Sequence, residues 1–152
     1  MANLLLVEDD LKLAHAVHAE LARSGFDVTI ATSSDAARAL DSTFDAGVFD
    51  LSLADECAVE LALELVAAER VGRVLFFTGG SWQPVLRRAV KVGPVIEKEQ
   101  GPVALLAELR QPTERPNDVD PASLAQAINR ASERVRAAVA PPQPAKRRRS
   151  SC

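Results

Sequence analysis

Aromatic side chains are scarce in this chain: five phenylalanines, one tryptophan and no tyrosine stand among 152 residues. Apolar residues nonetheless make up 47% of the sequence, with alanine supplying much of that share, which predicts helices packed closely on a small sheet. Cysteine is also rare. Cys57 falls inside an apolar helical pattern and Cys152 is the last residue, a spacing that offers neither a disulfide framework nor a metal-ligand pattern. Cys57 reads most simply as a small core residue. No apolar run approaches the roughly 20 residues of a membrane span, and Met1-Ala2-Asn3 before Leu4–Val7 lacks the basic flank and length of a secretory signal. These absences predict a soluble, cytoplasmic protein of one domain with a short appendage, long enough to bury a core without staples.

Acidic and basic residues are unevenly shared. Residues 1–110 carry 10 Lys and Arg against 17 Asp and Glu, and residues 111–152 carry 8 against 4. The body is acidic and the end of the chain basic.

Short apolar runs alternate with helical patterns. Leu4–Val7 reads as a buried strand followed by Glu8-Asp9-Asp10, with Asp10 placed to cap a helix from Leu11 to about Ser24. Leu11, Ala14, Val17, Leu21 and Ala22 mark its expected apolar face. His15 and His18 lie on this helix and, lacking a third ligand, read as solvated. Phe26–Ala31 alternates enough to be an edge strand, and Ser33 or Ser34 caps a short helix through Leu40. Next come a strand ending at Asp50, a helix to about Glu69, a strand Val71–Phe77 running into Thr78, a helix from Trp82 to near Gly93, a short strand Pro94–Ile96, and a helix opened by Gly101-Pro102. Five strands alternating with five helices predict a doubly wound α/β domain on a five-stranded parallel sheet, over residues 1–112.

Asp50 interrupts the run Ala46–Leu53. A buried, unpaired carboxylate costs several kcal/mol, so the strand's carboxyl end, where such sheets form their ligand crevice, is the place that tolerates it. The same edge receives Glu8 and Asp9 from the first strand, Thr78 from the fourth and Lys98 from the fifth. Three clustered carboxylates need a cation, and hard oxygen donors suit Mg²⁺. With Mg²⁺ and Lys98 neutralising an incoming phosphoryl group, Asp50 is placed to act as a carboxylate nucleophile, and Thr78 to reach a phosphoryl oxygen.

These residues resemble the receiver domain of two-component response regulators, typified by the bacterial chemotaxis regulator. The resemblance lies in the acidic pair Glu8-Asp9 after the first strand, Asp50 after the third, Thr78 after the fourth and Lys98 after the fifth, in that order over about three quarters of the chain. It implies a flavodoxin-like fold and Asp50 as phosphoacceptor. It also implies Mg²⁺ held by Glu8, Asp9, Asp50 and the backbone carbonyl of Ser52, with phosphoryl oxygens bound by Thr78 and Lys98. Ser52 and Gly80 fall where the family tunes loss of the phosphoryl group, and Gly79, Val95 and Trp82 are further candidate tuning positions.

Several positions depart from the family pattern. Glu99 follows Lys98 where a Pro is usual, and Ala54 and Ala58 stand where the family commonly has Pro and Gly. Val95 occupies the place of the aromatic switch residue. Phe76-Phe77-Thr78-Gly79-Gly80-Ser81-Trp82 is similar to the Phe-Ala-Thr-Gly-x-Tyr signature of a receiver subgroup that lacks that aromatic. Two adjacent glycines soften the loop after Thr78 and direct any signal toward the helix beginning at Trp82.

Residues 113–120 read as a Pro-rich linker, and residues 121–140 as an amphipathic C-terminal helix suited to docking on its own domain, to homodimer formation or to a partner. Residues 141–152 read as a disordered basic tail, in which Lys146–Arg149 could meet nucleic acid or an anionic membrane. The extension is too short for a winged-helix output domain.

The expected function is a stand-alone receiver, phosphorylated by a histidine kinase or phosphotransfer protein and acting on a downstream protein. It would have no small-molecule substrate and no enzymatic activity beyond Mg²⁺-dependent self-phosphorylation and autodephosphorylation. The alternatives are a phosphorylation-independent pseudo-receiver and a nucleic-acid-binding adaptor acting through the basic tail. A small aspartyl-phosphate phosphatase is disfavoured, because Ser52 stands where its general acid would lie and the chain has no room for a capping insert.

Overall fold

The structure, a computed structural model, describes residues 2–80 and 83–112. Ser81, Trp82, the linker expected over 113–120, the helix over 121–140 and the tail over 141–152 lie outside the described residues. Strands β1 (Asn3–Val7), β2 (Asp27–Ala31), β3 (Phe44–Phe49), β4 (Val71–Thr78) and β5 (Val95–Glu97) alternate with helices α1 (Leu11–Arg23), α2 (Ser34–Ala39), α3 (Ala58–Ala67), α4 (Gln83–Val92) and α5 (Gly101–Leu109). A single 3₁₀ turn, Lys98–Gln100, joins β5 to α5.

All strand pairs are parallel, in the order β2-β1-β3-β4-β5. The expected edge position of the second strand is found. Side-chain alternation divides the core into two layers. Leu5, Val7, Phe49 and Phe76 face α2, α3 and α4, whereas Leu4, Leu6, Val48 and Leu75 face α1 and α5. The central strands β1, β3 and β4 are covered on both sides, which explains why their sequences read as continuous apolar runs.

Local chemistry sets the element ends. The Asp10 carboxylate accepts from the Lys12 and Leu13 amides at the start of α1, and the Ser33 hydroxyl accepts from Ala36 N–H at the start of α2. Gly93 ends α4 at a close approach: a Cβ there would stand 2.1 Å from the Val74 carbonyl oxygen, so only glycine fits.

Three sequence expectations are corrected. In α1 the buried face is Ala14, Val17 and Leu21 alone; Leu11, in the first turn, is 56% exposed and Ala22 is exposed. Helix α3 ends at Ala67, short of Glu69, and buries Ala58, Val59, Leu61, Ala62, Leu63 and Leu65 because it is covered on more than one side. Cys57 is its N-cap rather than a residue within the helix, and it packs against the core. Among the described residues no helix is long and apolar enough to cross a membrane.

Candidate functional site

Parallel strands deliver their last residues to one edge, and two backbone bonds fix the position of the acids there. Asp50 N–H donates to the Val7 carbonyl at 3.0 Å, and Glu8 N–H donates to the Ala31 carbonyl at 3.1 Å. Glu8 and Asp50 are each only 3% exposed, whereas Asp9 faces solvent. One carboxylate oxygen from each of Glu8, Asp9 and Asp50 lies within 4.8 Å of the others.

Lys98 enters this cluster from the turn after β5. Its Nζ lies 2.8 Å from Oε2 of Glu8 and 3.3 Å from Oδ2 of Asp50. Three further oxygens have backbone donors. Asp10 N–H donates to Oε1 of Glu8 at 3.1 Å, Ser52 N–H to Oδ1 of Asp50 at 2.9 Å, and Ala54 N–H to Oδ2 of Asp9 at 3.1 Å. Burial pushes the Glu8 carboxyl up to about 7, with the Asp50 charge adding to the rise and the Lys98 hydrogen bond opposing it. Burial alone would disfavour the Lys98 ammonium, but its bond to Glu8 and the nearby Asp50 charge raise it above its ordinary value.

The donor set fits a hard divalent cation. Three carboxylates converge, two of them withdrawn from water, and the ammonium of Lys98 shows that a positive charge is accommodated between Glu8 and Asp50. Glu8, Asp9 and Asp50 are the side chains that could hold such an ion.

The structure thus brings Glu8, Asp9, Asp50 and Lys98 together. Thr78 ends β4 on the same edge, 1% exposed, and its hydroxyl is engaged within its own loop: it donates to the Gly80 carbonyl at 3.2 Å and accepts from Gly80 N–H at 3.3 Å. The Ser52 hydroxyl donates to the same carbonyl at 3.3 Å, tying the loop after β3 to the loop after β4. Gly80 has a φ of +135°, a conformation that suits glycine. Gly79 lies beside Lys98, whose Cδ would be 3.6 Å from an added Cβ. Val95 pairs with Phe76 and packs half-buried against the core, while Trp82 lies outside the described residues.

Two contacts had no counterpart in the sequence reading. Ala54 supplies the amide that holds Asp9, and Asp55 accepts from both the amide and the hydroxyl of Ser34. The first is a backbone donor, which no residue type announces. The second joins residues 21 apart in the chain.

Neither a family model nor a curated protein matches the sequence. Solved structures do match, and several of them are response-regulator receivers. Chemotaxis protein CheY4 of Vibrio cholerae superposes with a TM-score of 0.63 at 22% identity, over 72% of this chain and 97% of its own. A response regulator from Burkholderia pseudomallei, solved with a phosphorylated aspartic acid, a calcium ion and citrate, gives 0.63 at 23% identity, over 88% and 75%. TrrA of Thermotoga maritima, solved with Mg²⁺ and BeF, gives 0.63 at 16% identity, over 72% and 97%. The described residues therefore have the CheY-like receiver fold.

Proposed function

We propose that this chain is a response-regulator receiver that accepts a phosphoryl group on Asp50 and switches protein interactions in two-component signalling. The observation that carries the reading is the convergence of Asp50 with Glu8, Asp9 and Lys98 at one sheet edge, two of the acids buried and bridged by the ammonium. The phosphorylated aspartic acid of the Burkholderia structure and the Mg²⁺ of TrrA, on the same fold, support it.

Glu8, Asp9 and Asp50, with the Ser52 carbonyl, would hold Mg²⁺. When bound, the ion supplies charge neutralisation for the phosphoryl oxygens. An Asp50 carboxylate oxygen forms the new bond to phosphorus as the bond from phosphorus to a histidine nitrogen of the kinase or phosphotransfer protein breaks. Lys98 then meets a phosphoryl oxygen in place of its carboxylate partners. The modification adds about −1.5 to −2 charge at the crevice, and Thr78 must leave Gly80 to donate to it. That release frees the Ser52-linked loop and changes the surface offered to a downstream protein. Water attack on the aspartyl phosphate releases inorganic phosphate and restores the Asp50 carboxylate, returning the resting state. The setting for this chemistry is the cytoplasm.

Intact-mass measurement after incubation with Mg²⁺ and a small phosphodonor tests the proposal. The wild-type chain gains one phosphoryl group and Asp50→Asn gains none. A wild-type chain that stays unmodified with small donors and with a histidine phosphodonor overturns it and leaves a phosphorylation-independent receiver.

A further inference from the structure

The loop of residues 51–57 between β3 and α3 is held on two sides. Toward the acids, Ser52 N–H donates to Asp50 and Ala54 N–H donates to Asp9. Toward α2, Asp55 accepts from Ser34 N–H at 2.9 Å through Oδ2 and from the Ser34 hydroxyl at 3.1 Å through Oδ1. Glu56 pairs with Arg38 of α2, which also pairs with Glu64 of α3. Residues 54 and 55 are neighbours, so the carboxylate that grips α2 belongs to the peptide adjoining the amide that grips Asp9.

Of the three clustered acids, Asp9 is the exposed one. Glu8 and Asp50 are immobilised by burial and by Lys98, whereas an exposed aspartate retains rotamer freedom that any metal must remove on binding. The Ala54 amide restricts that freedom in advance. It exists because residue 54 is not proline, which has no N–H to give. The amide is useful only if the loop keeps it in place, and the Asp55 clamp does so with two bonds to an ionised acceptor.

We infer that Asp55 is a positioning residue for the metal site, acting through Ala54 N–H on the orientation of Asp9. The inference rests on the proposed reading of Glu8, Asp9 and Asp50 as metal ligands. Groups that orient ligands from outside the coordination sphere alter metal affinity by about 10–100-fold, and an effect relayed through one peptide belongs at the lower end.

Isothermal titration of the full chain with Mg²⁺ tests it. Asp55→Ala weakens binding about tenfold. Asp55→Asn keeps an oxygen for Ser34 N–H and recovers most of the loss. Asp45→Ala is the control: it deletes a comparable bond, from Asn3 N–H at 2.8 Å, at the opposite edge of the sheet and leaves affinity unchanged. Linkage requires the reciprocal effect, so Mg²⁺ slows NMR-detected hydrogen exchange of the Ser34 amide about tenfold in the wild type and leaves it unchanged in Asp55→Ala. Equal affinity in wild type and Asp55→Ala, an equal loss in Asp45→Ala, or a wild-type Ser34 amide indifferent to bound Mg²⁺ overturns the clamp while sparing the metal site. A wild-type chain that binds no Mg²⁺ overturns both.

Discussion

Lys98 stands closer to Glu8 than to the proposed nucleophile: its Nζ is 2.8 Å from Oε2 of Glu8 and 3.3 Å from Oδ2 of Asp50. The resting site is thus an ion cluster of one ammonium and two buried carboxylates, and its energetics depend on whether that charge is matched.

Removing the ammonium isolates both acids. Lys98→Met is expected to lower the stability of the metal-free protein by about 3 kcal/mol, the range for breaking a buried ion pair on one side. Urea unfolding monitored by circular dichroism measures this. A loss below about 0.5 kcal/mol would mean the acids are solvated.

The Glu8 carboxyl, raised to about 7 from an ordinary value of 4.5, sets the pH dependence. Between these values the folded chain holds a proton that the unfolded chain has released, so stability falls as pH rises through this window. The raised Lys98 acts in the same sense only at pH above 10. The metal-free urea midpoint is therefore expected to decline from pH 5 to pH 8. Mg²⁺ is expected to stabilise strongly at pH 8 and weakly at pH 5, because protonated Glu8 cannot serve as a ligand. A flat metal-free profile would place Glu8 in water.

Asp50→Asn keeps an oxygen for Ser52 N–H and removes one of two neighbouring buried charges. Metal-free stability should rise by about 1 kcal/mol at pH 8, while the Mg²⁺-induced shift of the urea midpoint is lost.

Thr78→Val removes the hydroxyl that engages Gly80 but leaves the acids and Lys98 in place. Phosphoryl uptake by intact mass is expected to persist, whereas the change in emission of the single tryptophan on phosphorylation shrinks severalfold. Unaltered emission would separate Thr78 from the loop response.

Gly93→Ala forces a methyl group into the Val74 carbonyl. It is expected to cost about 2–4 kcal/mol, comparable with other overpacking and backbone-strain lesions, read from the urea midpoint.

The five-stranded parallel sheet and the acid cluster were legible because burial and charge leave opposite marks on sequence. Leu4–Val7 and Val71–Phe77 are apolar without alternation since both faces are covered, and Asp50 stands out against such a run. Glu8, Asp9 and Lys98 were legible as strand-end charges. The face of α1 was over-read, because helical spacing does not say where the sheet ends and Leu11 lies beyond that cover. The Ala54–Asp9 and Asp55–Ser34 bonds left no trace. One uses a backbone amide common to every residue but proline, and the other depends on how far α2 lies from the β3–α3 loop.

Asp9 is the one wet member of the acid cluster, and this gives the crevice a direction. An ion held by these carboxylates would have Asp9 on its solvent side and Glu8 and Asp50 on its buried side, so its exchange with solution would run past Asp9. Surface charge placed there alters how quickly the crevice fills and empties, even where the final occupancy is the same.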